Sequence, residues 1–496
     1  MNEAINMMVD QRSPNGLSKH DSKQVFHNTV AILTGRLLSV LLGAGSTVLL
    51  VRSLGTERLG QFSALYAYVT LFAWMASLGI EPVLTLEAVR NRLNAGSIVA
   101  TGMALCGLSA GTASIIVILL APHVGYSGQM QLLVILVVVE LLLLGPLRLP
   151  AIIFQVDLKQ WYAVAINLIR QLLWLGTIFL LARWHSPLTG FILGKLGGAL
   201  AELFLVFVVT ASLLPPPRRV LTRQLKPYLR ACIPIAFSSL LAALYLRVDQ
   251  VMLHNLVSDQ VLGGYAAAVK ISELLEMIPA ALLSSLFPLL AGIAHDQALL
   301  NSYVDRIFRY MMVSVGGLCV VMSLGSGLIV SVLYGPGFTS TARVLRILVW
   351  SEFAIFFASV VINVLIARNL QRFLLYPTAM GAIVNVLLNL FLIPRFAASG
   401  SAWASVISYT LGWMVVLLAF ASTRGIIWQG LNHAFPLCLL ALAATVAASS
   451  ISVPATVQII LGLMFYITGA WLIRALRYED LEYARAIVNR AVFKLE

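Results

Sequence analysis

Residues 132–144 form a run of thirteen in which Glu140 is the only polar side chain. Such a run cannot coat a water-facing surface. It also lacks the alternation that a lipid-facing β-strand shows over about ten positions. The same texture continues along the 496-residue chain, which is 60% hydrophobic and 11% charged, with a mean hydropathy of +0.93. Soluble domains carry about 25% charged residues. A water-soluble enzyme, a disordered chain and a nucleic-acid-binding domain are thereby excluded. In hydrocarbon the backbone must satisfy its own hydrogen bonds, as a helix or a closed barrel. The expected class is an all-α polytopic membrane protein, with room for about fourteen spans of about 20 residues each.

The net charge of +13 is explained by loops. With the spans placed between residues 28 and 475, 22 of the 33 Lys and Arg fall on the side of the amino terminus and 6 on the other. Five lie inside spans: Arg36, Arg170, Lys195, Arg247 and Lys270. This asymmetry puts both termini in the cytoplasm under the positive-inside rule. The first 25 residues lack an apolar core and do not resemble a cleavable signal. Residues 476–496 suit either an amphipathic surface helix or a solvated tail.

Pro215-Pro216-Pro217 and five basic residues mark a linker at 212–230. The halves on either side echo each other. Leu59-Gly60-Gln61-Phe62-Ser63-Ala64 opens the second span, and Leu262-Gly263-Gly264-Tyr265-Ala266-Ala267 opens the eighth. Just upstream, Leu54-x-x-Glu57 matches Leu256-x-x-Asp259 with one residue inserted in the second copy. Six spans separate the copies, so they face the same way, which is the plan of a parallel-repeat transporter. The expected organisation is a tail (1–27), a six-helix lobe (28–211), the linker, a second pseudo-symmetric six-helix lobe (231–421), two additional helices (432–475) and the cytoplasmic tail (476–496).

No ATPase, metalloprotease or serine-hydrolase signature is present, and the outer loops are too short for a catalytic domain, so the chain is not expected to be an enzyme. The four cysteines, Cys106, Cys232, Cys319 and Cys438, lie in apolar stretches without a C-x-x-C, and no metal or cofactor is indicated. The informative residues are the charges inside spans, each costing about 2.5–3.5 kcal/mol on insertion scales. Arg36, Ser39, Gly43 and Ser46 share one helical stripe. Lys195 and Glu202 stand two turns apart on one face. Lys270 and Glu273 share another, with Glu276 nearby. Arg170 lies beside Asn167 and Trp174. Arg247 and Asp249 point to different sides of one helix, and Glu140 stands alone. Such charges either pair between helices or line a wet cavity. Asn363, Asn385 and Asn389 suit helix–helix hydrogen bonds, and the small residues from Ser399 to Ser405 suit close packing.

Several strings, in order from about residue 28 to 421, resemble the polysaccharide-export branch of the multidrug/oligosaccharidyl-lipid/polysaccharide exporter superfamily, the O-antigen-type lipid-linked oligosaccharide flippases. They are Val51-Arg52-Ser53-Leu54-Gly55-Thr56-Glu57-Arg58-Leu59-Gly60-Gln61-Phe62; Arg247-x-Asp249-Gln250-x-Met252-Leu253 with Leu262-Gly263-Gly264-Tyr265; Ile278-Pro279 and Leu286-Phe287-Pro288; Tyr334-Gly335-Pro336-Gly337-Phe338; and Asn385-x-x-x-Asn389 through Ile393-Pro394 to Gly400-x-Ala402-x-Ala404. The resemblance implies two pseudo-symmetric lobes with alternating access, in a bacterial inner membrane. The implied cargo is an undecaprenyl-pyrophosphate-linked oligosaccharide, moved from the cytoplasmic to the periplasmic leaflet. The family's cation-lined lumen maps onto Arg36, Arg247 and Lys270, with Arg170 a further cation. Asp249, Glu273 and Glu276 balance charge or carry a coupling ion, H+ or Na+. Implied partners are the lipid-linked substrate, membrane lipid, and glycosyltransferases or a polysaccharide polymerase. The rival expectations are a cation-coupled small-molecule exporter of the same superfamily and a non-transporting scaffold for glycan assembly.

Overall fold

A computed structural model of the protein describes residues 19–157, 159–215 and 220–476, the side chains at 19–33, 36 and 37 excepted. The expectations for residues 1–18, for 216–219 of the linker and for 477–496 lie outside the described residues. What is described is helical throughout, and 12 helices are long and apolar enough to cross a membrane.

The helices are α1 (Lys19–Thr70), α2 (Glu81–Arg90), α3 (Ala95–Leu120), α4 (Gln129–Val138), α5 (Trp161–Arg183), α6 (Leu188–Ala211), α7 (Thr222–Leu256), α8 (Asp259–Leu275), α9 (Met277–Gly292), α10 (Gln297–Tyr334), α11 (Thr339–Leu348), α12 (Glu352–Ala367), α13 (Leu375–Thr410), α14 (Ala421–Ser449) and α15 (Ala455–Leu472), joined by short turns. Two helical stretches contain breaks, and there the tally of 12 departs from the expected fourteen. In α1 the break is Gly55, at φ 69°, ψ 179°, a conformation that only glycine adopts without strain. In α13 it is Ala397, at φ 49°. The 49-residue stretch Gln371–Ala419 would be about 73 Å long if straight, against a hydrocarbon core of about 30 Å. The fold-back at Ala397 brings Gly400 so close to Leu392 that a Cβ at 400 would lie 2.3 Å from its carbonyl oxygen. The small residues after Ser399 therefore do pack closely, as their size suggests.

By compactness the chain divides into two units, a different partition from the lobes read off the repeat. The first comprises the described residues up to 49, Ala76–Ser114 and Val138–Cys232. Its core joins Leu84, Ile98, Cys106, Ile153, Phe154 and Cys232. One end is tied by Arg92, whose guanidinium donates to both oxygens of Asp157 at 2.8 and 2.9 Å and to the Leu213 carbonyl at 2.7 Å.

The second unit comprises Leu50–Met75, Ile115–Val137 and the chain from Ile233 onward. Here the repeat becomes a physical contact. A Cβ on Gly60 would lie 1.8 Å from the Asp259 carbonyl oxygen, and one on Gly263 would lie 1.7 Å from that of Thr56. Each glycine thus faces the carbonyl four residues before the other. One turn further on, the Tyr126 hydroxyl donates to the Ala64 carbonyl at 3.1 Å, and the Tyr334 hydroxyl donates to the Ala267 carbonyl at 3.3 Å. Ala64 stands to Gly60 as Ala267 stands to Gly263, so the register 59–64 on 262–267 is a local two-fold. The upstream match does not follow it: the counterpart of Asp259 is Thr56, not Glu57, and no insertion is needed. Ser258 starts α8 by accepting from the Val261 amide. Beside it, His254 holds Asp259 at 2.5 Å and stacks on Tyr126, and Arg52 donates to the Leu333 carbonyl at 2.6 Å.

Replacing Gly60 or Gly263 with leucine forces these backbones apart and is expected to cost about 1–3 kcal/mol each. The double variant should cost less than the sum, because both residues act on one crossing. Gly107→Leu, at an exposed position with nothing within 4 Å, should leave stability unchanged. Thermal melts of the detergent-purified variants read all three.

Candidate functional site

In the first unit the charged cluster is built from three spans. At residues 139–143 the helix continuing α4 relaxes into a π-turn. Such turns re-aim side chains and are frequent at functional sites. The buried Glu140 in it faces Lys195 of α6 at 4.0 Å. Two turns along α6, Glu202 takes Arg148 at 3.3 Å and Arg170 at 3.7 Å on one carboxylate oxygen. Lys195 and Glu202 therefore share a helix face and yet pair with other helices. Arg170 also donates to Asn167 at 2.7 Å, and Asn167 donates to Ser39 at 3.2 Å. Of the expected stripe, Ser39 and Gly43 face α5 together with Gly35, where a Cβ at Gly35 would lie 2.4 Å from Val164. Arg36 stands on the same stretch of α1, and its side chain lies outside the described residues.

Among the described residues three cations here meet two carboxylates. The side chains of Arg148, Arg170 and Lys195 are 37%, 35% and 30% exposed. Charges that lie within spans and remain exposed need water or an ionic partner. The cluster thus sets partly exposed cations against fewer carboxylates among the described residues.

The second unit is arranged otherwise. Arg247 and Lys270, expected as a cationic wall, both bind Glu273, at 3.2 and 2.6 Å. Asp249 is buried and accepts from the Tyr265 hydroxyl and from the Gln250 amide at 2.7 Å. Glu276 lies in the same cavity of about 230 Å³. On its wall Ser272 donates to Glu352, a fully buried carboxyl. Arg247, Lys270, Asp249, Glu273 and Glu276 are thus brought together, but with no surplus of positive charge. The cavity is too small for a sugar chain.

Sequence reasoning missed three of these residues. Glu352 carried the same signal as Glu140, a lone acid in a long apolar run. Arg148 is flanked by Pro146 and Pro150, and nothing in its spacing reveals a partner 54 residues away. Tyr265 sits in the repeat motif without a charge to draw notice. Elsewhere Asn385 donates across the break at Ala397 to Ser408 at 3.1 Å, as expected, whereas Asn389 donates to Asn385 and Asn363 to the Ser359 carbonyl, both at 2.8 Å and each within its own helix. His433 faces Asp305 at 2.9 Å. Among the described residues no group of three or more His, Cys, Asp or Glu is placed to hold a metal ion.

Residues 25–294 match the family described as polysaccharide biosynthesis protein. The chain is 29% identical over 181 residues to the probable flippase AglR of Haloferax volcanii, covering 35% of this chain and 38% of that protein. It is 21% identical over 369 residues to the probable low-salt glycan biosynthesis flippase Agl15 of the same organism, covering 73% and 76%. An uncharacterized membrane protein of Methanocaldococcus jannaschii is 31% identical over 114 residues, and that match spans 22% of each chain. The fold is that of the lipid II flippase MurJ in an inward closed conformation, with a TM-score of 0.70 and 14% identity over 91% of this chain and 99% of that one. An inward-facing multidrug resistance MATE family transporter of the MOP superfamily follows, with a TM-score of 0.57 and 12% identity over 80% of this chain and 99% of that one. Its match over more than half of the chain makes this protein a member of the polysaccharide biosynthesis protein family, built on the fold of MOP superfamily transporters.

Proposed function

We propose that the protein is a flippase that carries a polyisoprenyl-pyrophosphate-linked oligosaccharide across the cell membrane by alternating access, from the cytoplasmic to the outer leaflet, for surface polysaccharide assembly. In a bacterial inner membrane the carrier would be undecaprenyl pyrophosphate. The observation that carries this reading is the sharing of Glu202 by Arg148 and Arg170, beside the Lys195–Glu140 pair. One carboxylate between two guanidiniums leaves a positive charge unbalanced, and planar guanidinium groups suit phosphate oxygens. A pyrophosphate would displace or bridge these pairs, and Arg36, carried on α1 of the same unit, is a further candidate contact. The named functions of AglR, Agl15 and MurJ support the same reading. Protein groups here bind and orient; no bond is made or broken.

The cluster around Glu273 and Glu276 serves charge balance or ion coupling rather than head-group binding. It also favours a second reading, a cation-coupled exporter of small cationic molecules, because its carboxylates outnumber its cations.

Arg148→Gln with Arg170→Gln is expected to slow translocation of a fluorescent lipid-linked oligosaccharide in proteoliposomes by about tenfold or more, the loss of one to two charge-assisted contacts. Arg36→Ala should stop surface polysaccharide in cells that depend on this gene. Unchanged transport with normally inserted protein would refute both roles. Glu276→Gln should abolish any dependence of transport on a proton or sodium gradient while leaving substrate binding intact. The exporter reading predicts the reverse pattern: drug sensitivity in a deletion strain and normal surface polymer.

A further inference from the structure

One polar cavity of the second unit takes no part in the sites above. It has a volume of about 570 Å³ and lies where the turn between α9 and α10 meets the turn after α12. The charge count assigns that face to the cytoplasm. Its polar lining is His295, Gln297, Arg368 and Asn369, and among the described residues no carboxylate lines it. The local sequence explains both walls. Asn369 stands at φ 57°, a left-handed conformation that asparagine tolerates. It ends α12, because its amide donates to the Ile366 carbonyl at 3.0 Å while the Leu370 amide donates to that of Leu365 at 2.7 Å. The Arg368 amide donates to the Val364 carbonyl at 3.0 Å. Backbone amides thus satisfy the closing carbonyls of α12, and the Arg368 side chain is not needed to cap them. On the other wall Asp296 starts α10 by accepting from the Leu299 amide at 3.0 Å. Gln297 is the first residue of that 38-residue helix, so the wall also carries the positive end of its dipole.

Arg368 is the informative residue. Its Nη2 donates to Asn301 Oδ1 at 2.6 Å, and Gln429 donates to the Asn301 carbonyl at 2.7 Å. The guanidinium is therefore fixed in place by a neutral amide, which leaves its charge unbalanced. The one acid on α10, Asp305, faces His433 at 2.9 Å instead. Arg368 Nε is buried and meets no acceptor among the described residues, and a buried donor without an acceptor costs stability. Burial also pushes the pKa of Arg368 down, since it disfavours the charged form. A held guanidinium beside an imidazole and two side-chain amides is a receptor for an oxyanion. Phosphate matches it best, because the planar fork takes two of its oxygens and leaves the others for the remaining donors. We propose that this cavity binds one phosphate group, which ties the first turn of α10 to the end of α12. A soluble phosphate and the head of an anionic lipid in the inner leaflet present the same oxyanion. The site shares no residue with the clusters assigned to transport and does not rest on the flippase reading.

The test is isothermal titration calorimetry of the full chain in uncharged detergent, with inorganic phosphate or dihexanoyl phosphatidic acid as titrant at constant ionic strength. A single saturable site is expected. Binding of inorganic phosphate shows that the soluble anion suffices, and binding of phosphatidic acid alone assigns the site to a lipid head. Arg368→Gln should weaken binding by about tenfold. Ala291→Glu, at an exposed lining position, puts a carboxylate into the cavity and should weaken it to at least the same extent. This second variant keeps the Arg368–Asn301 bond, so it reads the site even where Arg368→Gln fails to fold. Arg372→Gln should leave binding unchanged, because Arg372 is exposed, lies over the Phe373 ring and is not part of the lining. Saturable binding of neither titrant would overturn the proposal. So would binding that survives Ala291→Glu in protein of normal elution, or that falls equally with Arg372→Gln.

Discussion

A charge taken into hydrocarbon must find an opposite charge or water, and this chain does so by letting two cations share one acid. In the first unit Glu202 serves Arg148 and Arg170; in the second Glu273 serves Arg247 and Lys270. Removing the acid in either case would leave two exposed cations competing for water, which is far more costly than losing a surface ion pair. The arrangement therefore fixes helix to helix and still leaves the cations accessible. The two units diverge in what surrounds the shared acid. Around Glu202 the balance stays positive, whereas Asp249, Glu276 and Glu352 tip it the other way around Glu273. Among the described residues the two clusters thus differ in the sign of their surplus charge.

The second constraint is steric. At Gly60 and Gly263 two backbones come so close that no side chain fits between them, and Tyr126 and Tyr334 repeat the same hydrogen bond one turn away. Close approach through small residues is the main source of helix attraction where lipid is as apolar as the side chains. The matched strings are therefore matched contacts as well.

Much of this was legible beforehand. Apolar runs such as 132–144 identify the helices, because in lipid no other open structure satisfies the backbone. The glycine motif, read as two copies of one element, marks the residues that meet. The charged positions Arg170, Lys195, Arg247, Lys270, Glu273 and Glu276 all belong to clusters. What the one-dimensional pattern does not carry is who pairs with whom. Lys195 and Glu202 share a face, but pairing is decided by neighbouring helices, and each turns to a different one. Arg148 hid at a proline-flanked span end for the same reason. The breaks at Gly55 and Ala397 blur the span count, since a positive φ at an alanine has no signal in composition.

The reciprocal crossing has a consequence for inheritance. Each glycine is demanded by a carbonyl belonging to the other copy, so neither copy can acquire a side chain at this spot unless its twin retreats. Most positions of two matched segments are free to drift independently; these two are yoked. A repeat of this kind should persist longest where its copies touch, and a search for it in distant kin should begin there.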